Sequence, residues 1–119
     1  MIYVIARAEI LPEKFPEYVE ALRRLVPQVR AEEGCLGYDP CVDLEGVGVG
    51  RFITIVEKWA SKEHWQAHMK TSHMAEFRTV ARPLRVGNTV YAVRLSSATL
   101  PTTTSAWQFF KGRLTRSAV

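Results

Sequence analysis

Apolar side chains alternate along the segment from residue 2 to residue 11, and this alternation restricts the possible folds more than any other feature of the chain. A period of two is typical of a β-strand, because successive side chains point to opposite faces of a sheet. One face of this strand is therefore wholly apolar. Its residues are Ile2, Val4, Ala6, Ala8 and Ile10.

The pattern then changes to a helix followed by a predicted hairpin. Residues 13–33 carry apolar side chains at helical spacing, and Pro27 within them is expected to bend the helix. Gly34 stands where a residue in the left-handed conformation commonly ends a helix. Strands are predicted over residues 35–44, 51–59 and 86–95, the first two joined by a glycine-rich loop.

The second helical region is predicted to consist of two pieces. Ser61 is the expected N-cap of a helix that runs to about residue 70. The polar pair Thr71 and Ser72 then interrupts the pattern, and a further helical segment covers residues 73–84.

The resulting order of elements, βαββαβ, predicts an α+β fold of the ferredoxin-like type. In this fold both helical regions cover one face of a four-stranded antiparallel sheet. The other face carries Ile, Tyr and Val side chains, which would be exposed to water in a single chain. We therefore expect a homodimer in which two such sheets cover each other.

With 119 residues and 47% hydrophobic content, the chain fits one compact core. We assign residues 1–98 to this domain and residues 99–119 to a C-terminal extension of unknown role. The expected anchors of this extension are Trp107, Phe109 and Phe110.

Composition excludes several classes of protein. No apolar run approaches the ~18 residues that a membrane span needs, and no secretory signal is visible, so we expect a cytoplasmic protein without a membrane partner. Residues 60–119 carry nine Lys and Arg against two Asp and Glu, but without interleaved aromatic residues, so no nucleic-acid partner is expected. Cys35 and Cys41 are too few for a disulfide framework and are predicted to be free thiols.

All three histidines, His64, His68 and His73, lie close together in the second helical region. On a helix, His64 and His68 are one turn apart and share a face. A metal site with His73 or Glu57 as a third ligand is disfavoured, because an HxxxH pair is common by chance. Imidazole titrates near neutrality, so His68 is either a general base that takes a proton from an acidic substrate or a histidine at the edge of the core.

Glu57 and Trp59 point to the same side of the third strand as the apolar residues Ile53 and Ile55. A carboxylate there is either paired, with Arg7 or His68, or has a raised pKa. Trp59 is either part of the core or a wall of a flat substrate pocket. No glycine-rich nucleotide motif is present, so neither flavin nor nicotinamide is expected.

Three segments resemble the antibiotic biosynthesis monooxygenase family, most closely its bacterial quinol monooxygenase branch. They are residues 32–38, residues 56–61, and residues 67–74 together with Phe77. The resemblance covers about residues 2–98 and implies a dimeric α/β barrel with a pocket between sheet and helices in each subunit. It implies oxidation of a quinol or polycyclic phenol by dioxygen as co-substrate, without metal or other cofactor.

The same resemblance implies roles for individual residues. His68 would be the base or the anchor of the substrate oxygen, and Trp59 would line the pocket. Glu57, Tyr38 and His73 would be supporting polar groups, and His64 is included among the candidate pocket residues.

Two other functions stay open. A related branch isomerises a small phosphorylated signalling sugar, and Lys70, Thr71 and the basic second half of this chain would suit a phosphate. A non-catalytic, dimeric module that binds small molecules is also compatible with this fold.

Overall fold

The computed structural model describes residues 1–94, so the C-terminal extension with Trp107, Phe109 and Phe110 lies outside the described residues. The described part contains four strands, three α-helices and two short 3-10 helices. In chain order they are β1 (Ile2–Ile10), a 3-10 helix (Pro12–Lys14), α1 (Phe15–Arg30), β2 (Cys35–Val42), β3 (Phe52–Trp59), α2 (Lys62–Met69), α3 (Ser72–Ala81), a 3-10 helix (Arg82–Leu84) and β4 (Arg85–Arg94).

The strands form one antiparallel sheet in the order β2-β3-β1-β4. The predicted βαββαβ order and the ferredoxin-like α+β fold are confirmed. The register places Val4 opposite Glu57 and Ala6 opposite Ile55. All four side chains therefore belong to the same face of the sheet, which we call the inner face.

The core lies between the inner face and the helices. The apolar alternation of β1 is buried as expected, with Val4 and Ile10 fully buried. Helix α1 contributes a stripe at helical spacing, Tyr18, Leu22, Leu25 and Val29, which is also buried.

The opposite face of the sheet, the outer face, carries an apolar row across three strands. Ile5 of β1 pairs with Val56 of β3 on one side and with Tyr91 of β4 on the other. Val56 and Tyr91 are exposed, as is Val93 further along β4. Within residues 1–94, no element covers this apolar row.

Helix α1 is shorter at both ends than the sequence pattern predicts. The chain begins with a 3-10 helix at Pro12, and α1 ends at Arg30, three residues before the predicted end. Gly34 has φ +80°, as expected for a residue that ends a helix in the left-handed conformation. α1 continues through Pro27 to its last turn, and the expected bend at this residue stays a prediction.

The break in the second helical region is confirmed and is produced by two caps. Ser61 accepts a hydrogen bond from the backbone N–H of His64, as predicted for an N-cap. Thr71 caps α3 by accepting from the N–H of Met74, and its hydroxyl also donates to the carbonyl of His68. Thr71 thus fixes the turn that carries His68.

None of the helices within residues 1–94 is long and apolar enough to cross a membrane. The two cysteines are free thiols, as predicted. Cys35 is partly buried and Cys41 is exposed.

Candidate active site

A cavity of about 90 Å³ lies between the inner face of the sheet and helices α2 and α3. Most of its wall is apolar or aromatic, with a few polar side chains. Its polar lining residues include Tyr18, Tyr38, Glu57, His68, Arg78, Arg85 and Asn88. A mostly apolar cavity with a few converging polar groups is typical of a small-molecule site.

His68 is almost completely buried, with 1% of its surface exposed. Its ring lies against Trp59, with 4.6 Å between ring centroids, and near Tyr38 at 5.8 Å. Burial lowers the pKa of His68, although the neighbouring Glu32 acts in the opposite direction. The environment therefore favours the neutral imidazole near neutral pH, which is the form that can accept a proton.

Glu32 holds both His68 and His73. The Nδ1 of His68 and the Nε2 of His73 each lie 2.8 Å from the same carboxylate oxygen of Glu32, Oε2. When the Nδ1–H of a neutral His68 donates to Glu32, Nε2 is left without a proton. This tautomer, inferred from the hydrogen bond, can act as a base through Nε2.

Glu57 lies on the other side of the His68 ring. Its Oε1 accepts a hydrogen bond of 2.9 Å from the Trp59 indole and lies 3.9 Å from His68 Nε2. Burial raises the pKa of Glu57 to about 7, against the opposing effect of the Trp59 hydrogen bond. Arg7 is not its partner, because that guanidinium pairs with Asp43 instead.

The two aromatic candidates take different places. Tyr38 lines the cavity, and burial raises the pKa of its hydroxyl. Trp59 is fully buried behind His68 and is not among the lining residues, so it supports the imidazole ring from behind. Trp59 therefore does not face the cavity, where a direct contact with a substrate was expected.

His64 and His73 are not among the lining residues of this cavity either. His64 lies in the first turn of α2. Its ring packs against Gly34, and its Nδ1 lies 2.7 Å from the Ser61 hydroxyl. His73 reaches the site only through Glu32, and its other surroundings are a groove between α1 and α3. The structure therefore brings together His68, Glu57 and Tyr38. His73 is connected to His68 through Glu32, and His64 is separate from the cavity.

Sequence reasoning missed the role of Glu32, which lies 36 residues from His68 along the chain. The available signal was its position in the segment that resembles the monooxygenase family, directly before Glu33 and Gly34. Within residues 1–94, the His, Cys, Asp and Glu side chains form no group of three or more suited to a metal ion. The expected absence of a cofactor stays a prediction.

Comparison with known proteins identifies the family. The pattern of the antibiotic biosynthesis monooxygenase family matches residues 1–80. The chain belongs to this family. A crystal structure of an antibiotic biosynthesis monooxygenase superposes with a TM-score of 0.74 and 26% identity, covering 81% of this chain and 99% of that one.

Two bacterial proteins that are named as monooxygenases are also similar to this chain. "Probable quinol monooxygenase YgiN" of Escherichia coli is 34% identical over 84 residues, which are 65% of this chain and 81% of YgiN. YcnE of Bacillus subtilis, also named as a monooxygenase, is 34% identical over 77 residues, 65% of this chain and 78% of YcnE. These matches support an oxidoreductase activity of the monooxygenase class.

Proposed function

We propose that this member of the antibiotic biosynthesis monooxygenase family oxidises a quinol or a related phenol with dioxygen and without a cofactor. The observation that carries the proposal is the placement of His68. Its neutral ring is clamped by Glu32 and Trp59, and its Nε2 is on the side of Glu57 at the cavity wall. A buried imidazole with an available nitrogen is suited to take a proton from a phenolic hydroxyl.

The proposed reaction begins when His68 Nε2 accepts the proton of the substrate hydroxyl. The resulting electron-rich quinolate transfers one electron to dioxygen, and the two radicals combine to form a carbon–oxygen bond. The O–O bond then breaks, so one oxygen atom stays on the ring and the other leaves as water. The substrate supplies all four electrons, and the products are a hydroxylated quinone and water.

The protein has three tasks in this scheme. Glu32 keeps the proton of neutral His68 on Nδ1 and stabilises the imidazolium that forms after proton transfer. The apolar wall keeps water away from the reactive intermediates. Glu57, with a pKa of about 7, can exchange a proton with the substrate oxygen near neutral pH.

The size of the cavity restricts the part of the substrate that enters. Its volume of about 90 Å³ is well below the ~300 Å³ at the lower end of common ligand pockets. We expect one ring, with its reacting hydroxyl, to lie beside His68. Further rings would extend past Asn88 and Val90, the exposed lining residues of β4.

We also propose that the protein is a homodimer that covers the outer face of the sheet. The row formed by Val56, Ile5 and Tyr91 is continuous across three strands. A contiguous apolar surface of this kind is unfavourable in water. A second copy of the chain would bury it.

Lys70 and Thr71 do not support the isomerase alternative. Lys70 is exposed, and neither Lys70 nor Thr71 lines the cavity. The Thr71 hydroxyl is already engaged with the His68 carbonyl and with the N-terminus of α3. A phosphate at these two residues would lie outside the cavity that contains His68.

Oxygen consumption by metal-stripped protein with a panel of quinols tests the proposal, with spontaneous autoxidation subtracted. We expect His68→Ala to reduce kcat by at least about a hundredfold, the scale of a lost general base. Glu32→Gln should reduce kcat by about tenfold or more with little change in KM, because it disturbs the tautomer of His68. Glu33→Gln is the matched control, since the Glu33 side chain is 95% exposed.

The outcomes separate the three functions. Uptake that depends on His68 and Glu32 but not on Glu33 supports the monooxygenase. Conversion of a small phosphorylated sugar under nitrogen would indicate an isomerase. Binding of aromatic ligands without consumption of any substrate would indicate a non-catalytic module.

A further inference from the structure

Two arginines from different elements line the cavity. Arg78 belongs to α3 and Arg85 to the start of β4, and both are partly buried. Neither forms an ion pair with a carboxylate of residues 1–94, and the chain contains no Asp or Glu after Glu76. A guanidinium that lines a mostly apolar cavity and has no carboxylate partner there is suited to bind a ligand that supplies the negative charge.

An irregularity in the sheet directs Arg85 into the cavity. β4 pairs regularly with β1 from Arg94 to Gly87, and the register then shifts between Glu9 and Ile10 so that Ile10 pairs with Arg85. Simple alternation would place Arg85 and Asn88 on opposite faces of β4. With the shift, Arg85 shares the inner face with Asn88. Bulges are known to redirect side chains next to active sites.

Both arginines keep guanidinium N–H groups available for a further hydrogen bond. One terminal nitrogen of Arg78 donates to the carbonyl of Met69 at 2.6 Å. Arg85 lies beside the Tyr18 hydroxyl and opposes the rise that burial causes in the pKa of that group. A guanidinium has five N–H groups, so these contacts leave donors available on each side chain.

The contrast with Arg82 shows why burial matters. Arg82 also has no carboxylate partner within residues 1–94, but it is exposed and does not line the cavity. Water solvates such a side chain, and nothing more is needed to explain it. Arg78 and Arg85 are different because they stand at the wall of an apolar cavity.

We propose that Arg85, together with Asn88 on the same face of β4 and Arg78 in the same cavity lining, binds a carboxylate carried by the aromatic substrate. A carboxylate matches the planar fork of a guanidinium and can accept two parallel hydrogen bonds from it. The inference rests on the proposed function in one respect, namely that the substrate is a quinol or phenol. It narrows that class to acidic members, with the reacting hydroxyl at His68 and the carboxylate at Arg85.

Binding under nitrogen tests the carboxylate separately from turnover. Gentisic acid is a hydroquinone with one carboxylate, and gentisamide is the same ring with a neutral amide. Dissociation constants are measured by calorimetry at about pH 6, where Glu57 is mostly protonated and a carboxylic acid with an ordinary pKa of ~4 is ionised. We expect the acid to bind at least about tenfold more tightly than the amide, the scale of a hydrogen bond to a charged group.

Variants locate the effect. In Arg85→Gln the preference for the acid should fall to about twofold or less, whereas Arg85→Lys should keep part of it through its charge. Arg82→Gln removes the same charge from an exposed site and should keep the full preference. Thermal unfolding of each variant shows whether it is folded before binding is measured.

A second ligand pair excludes the phenolate as the source of the negative charge. Benzoate and benzamide carry no phenolic hydroxyl, and benzoate should still bind more tightly through Arg85. Equal binding of acid and amide by the wild-type protein, or an unchanged preference in Arg85→Gln, would overturn the proposal. If acid preference persists but no quinol consumes oxygen, the carboxylate site stands and the monooxygenase function fails.

Discussion

At the scale of single residues, the site combines a carboxyl group and an imidazole that are both buried. Glu57 is 5% exposed and His68 is 1% exposed, and the two approach to 3.9 Å. Burial disfavours the charged form of each group, so it raises the pKa of Glu57 and lowers that of His68. Both groups are thereby brought toward the neutral form near pH 7, which is favourable for proton exchange with a substrate.

The raised pKa of Glu57 predicts a pH-dependent cost in stability. Folded Glu57 has a pKa of about 7, whereas the ordinary pKa of a glutamate side chain is 4.5, so the folded state holds a proton that the unfolded state releases between these pH values. Stability therefore falls as the pH rises through this window. Glu57→Gln removes this dependence and can still accept the Trp59 hydrogen bond. Relative to wild type, the variant should gain about 2 to 3 kcal/mol between about pH 5 and pH 8.

Urea unfolding of both proteins at these two pH values measures the difference. Glu45→Gln, in the exposed loop between β2 and β3, is the matched control and should follow the wild type. Parallel pH profiles of Glu57→Gln and wild type would show that Glu57 has an ordinary pKa.

At the scale of elements, the connection between α1 and β2 builds the site. Because α1 ends at Arg30, Glu32 lies in a turn and reaches both His68 of α2 and His73 of α3. Gly34 closes this turn at φ +80°, and its carbonyl accepts from the N–H of Ala60 at the end of β3. One short turn thus joins three parts of the fold.

Gly34→Ala is expected to destabilise the protein for two separate reasons. A Cβ at this positive φ costs about 1 kcal/mol, and the new methyl group would overlap the ring and the Cβ of His64. We expect a total loss of about 2 to 4 kcal/mol in the free energy of unfolding.

The double variant Gly34→Ala/His64→Gly separates these two reasons, because it removes both the ring and the Cβ of His64 that the new methyl group would overlap. Compared with His64→Gly alone, it should lose only the backbone part, about 1 kcal/mol, measured by urea unfolding. An equally large loss with and without the His64 ring would show that the overlap plays no part.

At the scale of the whole molecule, the two faces of the sheet differ within the described residues. Helices pack against much of the inner face, whereas no element of residues 1–94 covers the outer-face row of Val56, Ile5 and Tyr91. The cavity opens on the inner side, so a dimer through the outer face would leave it accessible.

Sedimentation equilibrium is expected to give twice the mass of the 13.5 kDa chain. Val56→Lys places a charge in the apolar row and should shift the equilibrium toward the monomer by at least about tenfold, because an unpaired buried charge is unfavourable. Val47→Lys makes the same exchange in the exposed loop and should leave the mass unchanged. A monomeric wild-type protein would contradict the proposed dimer.

Local patterns were sufficient for most of the fold. The alternation in β1, the helical stripe of α1, the cap at Ser61 and the left-handed Gly34 each follow from side chains within a few residues of one another. These patterns act through short-range geometry, so one sequence reveals them. The same reasoning placed Glu57 on the inner face of the sheet together with Ile53 and Ile55.

Only the tertiary structure decided which of these groups meet. Glu32 reaches His68 across 36 residues, Trp59 lies behind the imidazole ring, and His64 turns toward Gly34. The register shift that turns Arg85 into the cavity depends on how β4 pairs with β1. Such contacts arise from the packing of distant elements, which local periodicity does not encode. The sequence alone therefore determined the elements and their order, and packing determined the chemistry that they enclose.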